Sequence, residues 1–156
     1  MTPEPTGAYC YAHPRPALTV DAVLVRKGED GQLEVLLIQR RHPPFEGYWA
    51  LPGGFVEESE PPRAAALREL REETALQEIQ VQQIGTFGEP GRDPRGWVVS
   101  VAFAAYISDG CGELKAGDDA ARAGWWSLDD LPPLAFDHAK IIATALEDLR
   151  FLPKDP

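Results

Sequence analysis

Residues 53–76 read Gly53-Gly-Phe-Val-Glu-Glu-Ser-Glu-Pro-Pro-Arg-Ala-Ala-Ala-Leu-Arg-Glu-Leu-Arg-Glu-Glu-Thr-Ala-Leu76. Two glycines open a loop, an acidic turn follows, and Pro61 and Pro62 stand where a helix starts. Proline suits a first helical turn because its missing N–H would have had no partner there. Ala64 to Glu73 are almost all strong helix formers. Ala66, Leu67, Leu70 and Thr74 recur at helical spacing and give one side to bury. Glu69, Glu72 and Glu73 fall at i, i+3 and i+4, which puts the carboxylates together on another side. As helix design this is poor. Glu69 and Glu73 repel at i,i+4, and all the acids lie near the C-terminus, where the macrodipole favours cations. The cluster reads either as a solvated acidic face or as a cation site. A bound divalent cation would reverse the sign of both penalties, and hard ions such as Mg²⁺ take carboxylate oxygens jointly with substrate phosphates.

The same stretch resembles the Nudix box, G-x5-E-x7-R-E-U-x-E-E-x-G-U with U aliphatic. Gly54, Glu60, Arg68, Glu69, Leu70, Glu72, Glu73 and Leu76 match in register, and Trp49 to Gly54 reproduces the Trp-Ala-Leu-Pro-Gly-Gly segment that precedes the box. One position departs: Ala75 stands where the family has glycine. The resemblance implies an α/β fold, the Nudix α/β/α sandwich with a mixed β-sheet between helices. It implies hydrolysis of a nucleoside diphosphate linked to some group X, with Mg²⁺ as cofactor and Mn²⁺ as the alternative. By resemblance Glu69, Glu72 and Glu73 are metal ligands and Glu60 is a nearby carboxylate of the same set. Arg68 would brace the glutamates, and its i,i+4 spacing to Glu72 allows a direct pair. Gly53 and Gly54 fall among the candidate substrate contacts, and a homodimer is the expected assembly.

The chain has 156 residues, which suggests one domain and is enough for a real core. At 44% hydrophobic residues it belongs with globular chains. The net charge of −10 argues against nucleic acid as a routine partner, since phosphate backbones need clustered Lys and Arg. An acidic protein with an anionic substrate needs metal ions and local arginines to recruit it. No apolar run approaches the length of a membrane span, so no membrane partner is expected. The N-terminus lacks a basic region followed by an apolar core, so no signal peptide is expected. Cys10 and Cys111 are isolated, neither has a metal-like partner nearby in sequence, and a disulfide between them has no support. The expected compartment is a reducing cytoplasm.

Met1 to Pro16 is rich in proline and small residues and reads as an irregular arm, with His13 on the surface; residues 17–156 read as the single domain. Ala17 to Arg26 reads as a strand with Thr19 and Asp21 on one side, Gly28 to Gln32 as a turn, and Leu33 to Gln39 as a buried strand, together a hairpin. Arg40, Arg41 and His42 open a loop that is either a solvated charged edge or a phosphate contact. Tyr48 to Leu51 is a short strand into the glycine loop. After the box come a strand over Ile79 to Phe87, a proline- and glycine-rich loop from Gly88 to Gly96, and an apolar strand over Trp97 to Ser108. Asp109 to Gly124 is a polar loop carrying Asp118 and Asp119. Trp125 to Leu128 is a short strand with one tryptophan facing in and one out. Asp137 can cap a final helix from His138 to about Arg150, with Ile141, Ile142, Ala145, Leu146 and Leu149 inward and His138 at the surface.

Pro90 lies fifteen residues beyond Ala75, and Gly91-Arg92-Asp93-Pro94-Arg95-Gly96 follows it. A proline at that distance and such a run are similar to ADP-ribose pyrophosphatases. A proline-rich turn with surface arginines reads the same way from composition. The physical argument for function is that Arg92 and Arg95 offer planar donor forks in a chain otherwise short of positive charge. Arg40 is a further candidate phosphate contact, and Phe45 or Trp97 could supply a flat partner for adenine. The expected reaction is hydrolysis of ADP-ribose to AMP and ribose 5-phosphate, with Glu73 or Asp119 taking the water's proton. Two alternatives stay open: sanitation of oxidised nucleoside triphosphates, and a non-enzymatic Nudix module that senses a ligand. Regulators of the second kind carry an extra DNA-binding domain, and the intact carboxylates favour an enzyme.

Overall fold

A computed structural model describes residues 9–108, 112–117, 120–148 and 152. Its elements, in chain order, are β1 (Ala17–Lys27), β2 (Leu33–Arg40), β3 (Trp49–Ala50), β4 (Gly53–Phe55), α1 (Pro62–Thr74), β5 (Gln82–Phe87), β6 (Val98–Tyr106), β7 (Ala120–Ser127) and α2 (His138–Glu147). The strands form one mixed sheet in the order β3-β2-β1-β6-β5, with β4 added to β1 and β7 to β2. β1 lies parallel to β6 along its length from Ala17 to Val25 and forms the expected antiparallel hairpin with β2 at Val25–Lys27. Further back along β1, Thr19–Asp21 pair with β4, while Ile38 and Gln39 of β2 pair with β3. The strip Trp49–Phe55 therefore fills the V where β1 and β2 part. That V positions the site.

Alternation along the central strands builds two cores. Ala22, Leu24, Leu36, Phe103 and Ala105 face α1, packing on Ala65, Ala66 and Leu70. Val23, Val25, Val35, Leu37, Ala102 and Ala104 face α2, packing on Ile141, Ile142 and Ala145. Strands covered on both faces read as continuous apolar runs, which is what β1 and β2 show. The result is the expected sandwich of a mixed sheet between helices.

Several details differ from the sequence expectations. Trp125 and Trp126 do point to opposite faces, but both faces are covered, so one packs against each core. The strand expected over Ile79 to Phe87 starts at Gln82; Ile79 and Val81 are buried as irregular plugs of the α1-side core. β6 is trimmed to Val98–Tyr106. β7 is twice the expected length of four residues, because Ala120–Gly124 pair with β2 across a bulge at Gln39 and Arg40. Small and polar side chains there hide a strand that main-chain pairing makes. Leu67 is only partly buried, whereas Glu73, read as part of the polar face, is buried with Leu70 and Thr74. His138, read as a surface residue, is buried too. Asp137 precedes α2 but makes no side-chain cap. α2 is described to Glu147; Leu149, Arg150, Cys111, Asp118 and Asp119 lie outside the described residues.

α1 begins as read, with Pro62 in its first turn. It ends on Ala75 in the left-handed region, φ 64° and ψ 2°, whose N–H donates to the Arg71 carbonyl at 3.0 Å. Ala75, standing where the family has glycine, thus takes a conformation that glycine adopts most readily. The loop after β6 then closes the helix end. Lys115 N–H donates to the Thr74 carbonyl at 2.9 Å and Gly117 N–H to the Glu73 carbonyl at 3.0 Å, so carbonyls orphaned by the helix terminus find partners. A Cβ on Gly117 would stand 1.8 Å from the Glu72 carbonyl oxygen, so no larger residue fits this approach.

Candidate active site

Arg68 is the hub of the glutamate cluster. Its Nε donates to Glu60 Oε2 at 2.7 Å and its Nη2 to Glu60 Oε1 at 2.9 Å. Nη1 donates to Glu69 Oε1 at 2.8 Å and to Glu72 Oε2 at 3.2 Å, the latter being the expected i,i+4 pair. The guanidinium holds the Glu60 carboxyl down to about 2, helped by the Glu57 N–H. Both Glu60 oxygens thus accept from Arg68, and Glu60 braces the arginine in this structure. Glu72 is half-exposed on the same arginine.

Glu69 and Glu73 are arranged differently. Glu73 Oε1 accepts the Gly53 N–H at 3.3 Å, and its Oε2 is buried with no hydrogen-bond partner among the described residues. Burial first, and then the neighbouring Glu69 carboxyl group, raise Glu73 well above the usual carboxylate range. Gly54 belongs to this pair because a Cβ there would stand 2.6 Å from Glu69 Oε1. Among the described residues no three His, Cys, Asp or Glu side chains converge in a geometry ready for a metal. The part that fits a cation is the Glu69–Glu73 pair: an orphaned buried oxygen, a second carboxylate beside it, and an open cavity. Waters and substrate oxygens would complete the shell of a hard ion. A divalent ion held by the two carboxylates would offset their mutual repulsion.

The cavity measures about 440 Å³, and its lining includes Glu57, Glu69 and Glu73 together with Arg40, Arg41, Arg92 and Arg95. Ligand sites commonly have this scale. The arginines are not equivalent. Arg92 puts Nε and Nη2 on the Asp137 carboxylate at 2.9 and 2.7 Å, with its side chain only 5% exposed, so its fork is already occupied. That pair also explains why Asp137 does not cap α2. Arg95 is held by buried Asp93 at 2.7 Å yet keeps 39% exposure, and its guanidinium lies over Phe55 and Phe136 at 4.9 and 5.4 Å. Arg40 donates Nε to the Pro44 carbonyl at 2.7 Å and lies over Phe136 at 5.0 Å. Burial and then the charge of Arg95 pull Arg40 below its ordinary value, while Glu73, Asp93 and Asp21 act in the opposite sense.

Of the residues proposed from sequence, Glu69, Glu73, Arg68, Gly53, Gly54, Arg40, Arg92 and Arg95 come together around this cavity. Phe45 does not line it; it packs on Tyr48 and Phe136 with ring centroids 5.7 and 4.9 Å away. Trp97 is 55% exposed and also off the cavity. The flat walls are Phe55 and Phe136 instead. Sequence reasoning also missed Asp21, Asp93 and His138, all buried and lining the cavity. Asp21 had a visible signal, a lone acid inside an apolar strand. His138 had none.

Comparison with known proteins places the fold in a family. The family model described as the NUDIX domain matches residues 15–145. The chain is 46% identical over 132 residues to an ADP-ribose pyrophosphatase of Methanocaldococcus jannaschii, covering 85% of this chain and 73% of that protein. It is 36% identical over 141 residues to the ADPR responsive transcriptional repressor NtrR of Acinetobacter baylyi, covering 88% of this chain and 56% of the repressor. Among solved structures it is similar to the NUDIX domain of Shewanella oneidensis NrtR complexed with ADP ribose, with a TM-score of 0.82 and 40% identity over 88% of this chain and 91% of that one. A MutT/nudix family protein from Enterococcus faecalis superposes with a TM-score of 0.79 at 37% identity, covering 91% of this chain and 65% of that one. The chain belongs to the Nudix family and is of its pyrophosphohydrolase class. Among the described residues no helix is long and apolar enough to cross a membrane.

Proposed function

We propose that the protein hydrolyses ADP-ribose to AMP and ribose 5-phosphate, with Mg²⁺, or Mn²⁺ in its place, held by Glu69 and Glu73, and Glu72 swinging in from its exposed position. The observation that carries this is the buried Oε2 of Glu73, without a hydrogen-bond partner among the described residues, in a cavity that Glu69 and several arginines also line. The similarity to an ADP-ribose pyrophosphatase supports the choice of substrate. The ion, when bound, neutralises diphosphate oxygens and lowers the pKa of the attacking water. Arg40 and Arg95 hold the substrate's anionic groups, and Phe55 and Phe136 offer flat surfaces for its base or ribose. Arg92 keeps the loop in place through Asp137. Glu73 is the candidate proton acceptor among the described residues, with Asp119 the second candidate. Water oxygen bonds to one phosphorus of the diphosphate as the bridging P–O bond breaks. The proposed working form is a cytoplasmic homodimer acting on a small nucleotide.

A sensing role is the second reading, favoured by similarity to a NUDIX domain complexed with ADP ribose. Incubation with ADP-ribose, nucleotide sugars and oxidised nucleoside triphosphates, with and without Mg²⁺, separates the readings. Hydrolysis predicts metal-dependent AMP from ADP-ribose. Binding by calorimetry without product would support sensing, and preferred release of pyrophosphate from an oxidised triphosphate would support sanitation.

A further inference from the structure

A chain of buried polar groups beneath the cavity has no part in the chemistry above. It joins β6, β1, α2 and the strip between β3 and β4. Ser100 is fully buried, Asp21 is 6% exposed and His138 is 5% exposed. The Ser100 hydroxyl donates to Asp21 Oδ2. His138 Nε2 lies 3.3 Å from Asp21 Oδ1. On the other side of the ring, the Leu51 N–H donates to His138 Nδ1 at 3.0 Å. An Nδ1 that accepts carries no proton, so the proton sits on Nε2 and faces the carboxylate. The imidazole is a neutral bridge with each nitrogen assigned by its partner.

The Leu51 amide leads directly into the site. Pro52 accepts the Ala22 N–H at 2.9 Å, Gly53 pairs in register with Asp21, and the Gly53 N–H meets Glu73 Oε1. Apolar residues in these places would hold the strip without the desolvation that a buried Asp and His carry. What apolar packing does not supply is direction at one amide. Resting on the hydrolysis proposed above, we infer that His138, oriented by Asp21 and Ser100, is a positioning residue for that reaction. It fixes the Leu51 amide and thereby the Gly53 amide that holds Glu73 in place. A shift of the strip would reach Glu73 without removing any group that touches substrate.

The test pairs His138→Phe, which keeps the ring and loses both polar atoms, with His138→Gln, whose amide can accept from Leu51 and donate to Asp21. His138→Leu is the second apolar variant, for the case in which the phenyl ring does not pack. Amide hydrogen exchange is followed by NMR in the full chain without added metal. Exchange at Leu51 and Gly53 should quicken by about tenfold or more in the apolar variant, while core amides such as Val23 and Leu37 keep their protection. With Mg²⁺ and ADP-ribose, kcat should fall by about 10- to 100-fold and KM stay within about threefold, with His138→Gln restoring both readouts. Unchanged exchange at Leu51 and Gly53 would overturn the inference. So would a uniform loss of core protection that the Gln variant does not rescue, since that marks a structural role alone. Absence of turnover in the wild type would sink the hydrolysis reading, and the exchange arm would still decide whether His138 directs the strip.

Discussion

Ala75 holds a left-handed conformation that crowds its Cβ against the following carbonyl, at roughly 1–2 kcal/mol. Replacing it with glycine removes that strain but frees the unfolded chain, which costs about 0.4–1 kcal/mol. Ala75→Gly is therefore expected to raise Tm by about 1–3 °C at this size and leave turnover unchanged, as read by calorimetry and kinetics. A clear drop in Tm would show that the conformation is not strained. The two arginines of the 91–96 loop part at the same scale. Arg92→Ala strands the Asp137 carboxylate and should lower stability by roughly 1.5–3 kcal/mol. Arg95→Ala strands the buried Asp93 carboxylate and should lower stability on a similar scale, but it should in addition weaken kcat/KM for ADP-ribose by roughly 1–3 kcal/mol. A loss of kcat/KM in Arg92→Ala as large as in Arg95→Ala would contradict the division. The box residues were legible because their spacing is local to one helix. The arginines were legible as charges, but which one is committed to Asp137, forty-five residues on, depends on tertiary contact.

α1 delivers Glu73 to the cavity only because both of its flanks are pinned, by the Gly53 amide on one side and by the Lys115–Gly117 segment on the other. Gly117→Ala cannot keep that segment on the helix end. The loss of its two hydrogen bonds is expected to lower stability by about 1–3 kcal/mol, measured by denaturant unfolding. An unchanged midpoint would mean the segment does not rest there. α2 is anchored through the neutral ring of His138. Burial holds this imidazole below its ordinary value; Asp21 and Asp137 act in the opposite sense, and Arg92 and Arg40 act with burial. With a depressed folded value, the unfolded chain binds the proton first, so stability falls as pH drops through the ordinary histidine range near about 6.5. Glu73, raised by burial, titrates with the opposite sign, so the comparison is made against His138→Gln, which retains Glu73. Tm of the wild type should fall more steeply than that of the variant between pH 7.5 and 5.5. Parallel slopes would show that His138 takes up its proton as readily in the folded state as in the unfolded chain. Long apolar strands and the proline-started helix were readable at this scale, because hydrophobic period records burial. β7 was read at half its length, because pairing with β2 by main-chain bonds leaves no period in Ala120–Gly124.

The molecule as a whole is acidic, yet it gathers Arg40, Arg41, Arg92 and Arg95 around one cavity together with Glu57, Glu69 and Glu73. That gathering arises from the V between β1 and β2, where the strip Trp49–Phe55 meets the 91–96 loop and the start of α2. Sheet order and this V come from pairings distant in sequence, which no window of the chain contains; hence the fold class was legible while the cavity floor of Asp21 and His138 was not. The central claim is that the Glu69–Glu73 pair serves metal-dependent hydrolysis of ADP-ribose. Its most direct test is AMP release from ADP-ribose with Mg²⁺ by the wild type and by Glu73→Gln, each shown to be folded. The expected result is steady AMP formation by the wild type and a loss of at least about 100-fold in the variant. Near-wild-type turnover by a folded Glu73→Gln protein would contradict it.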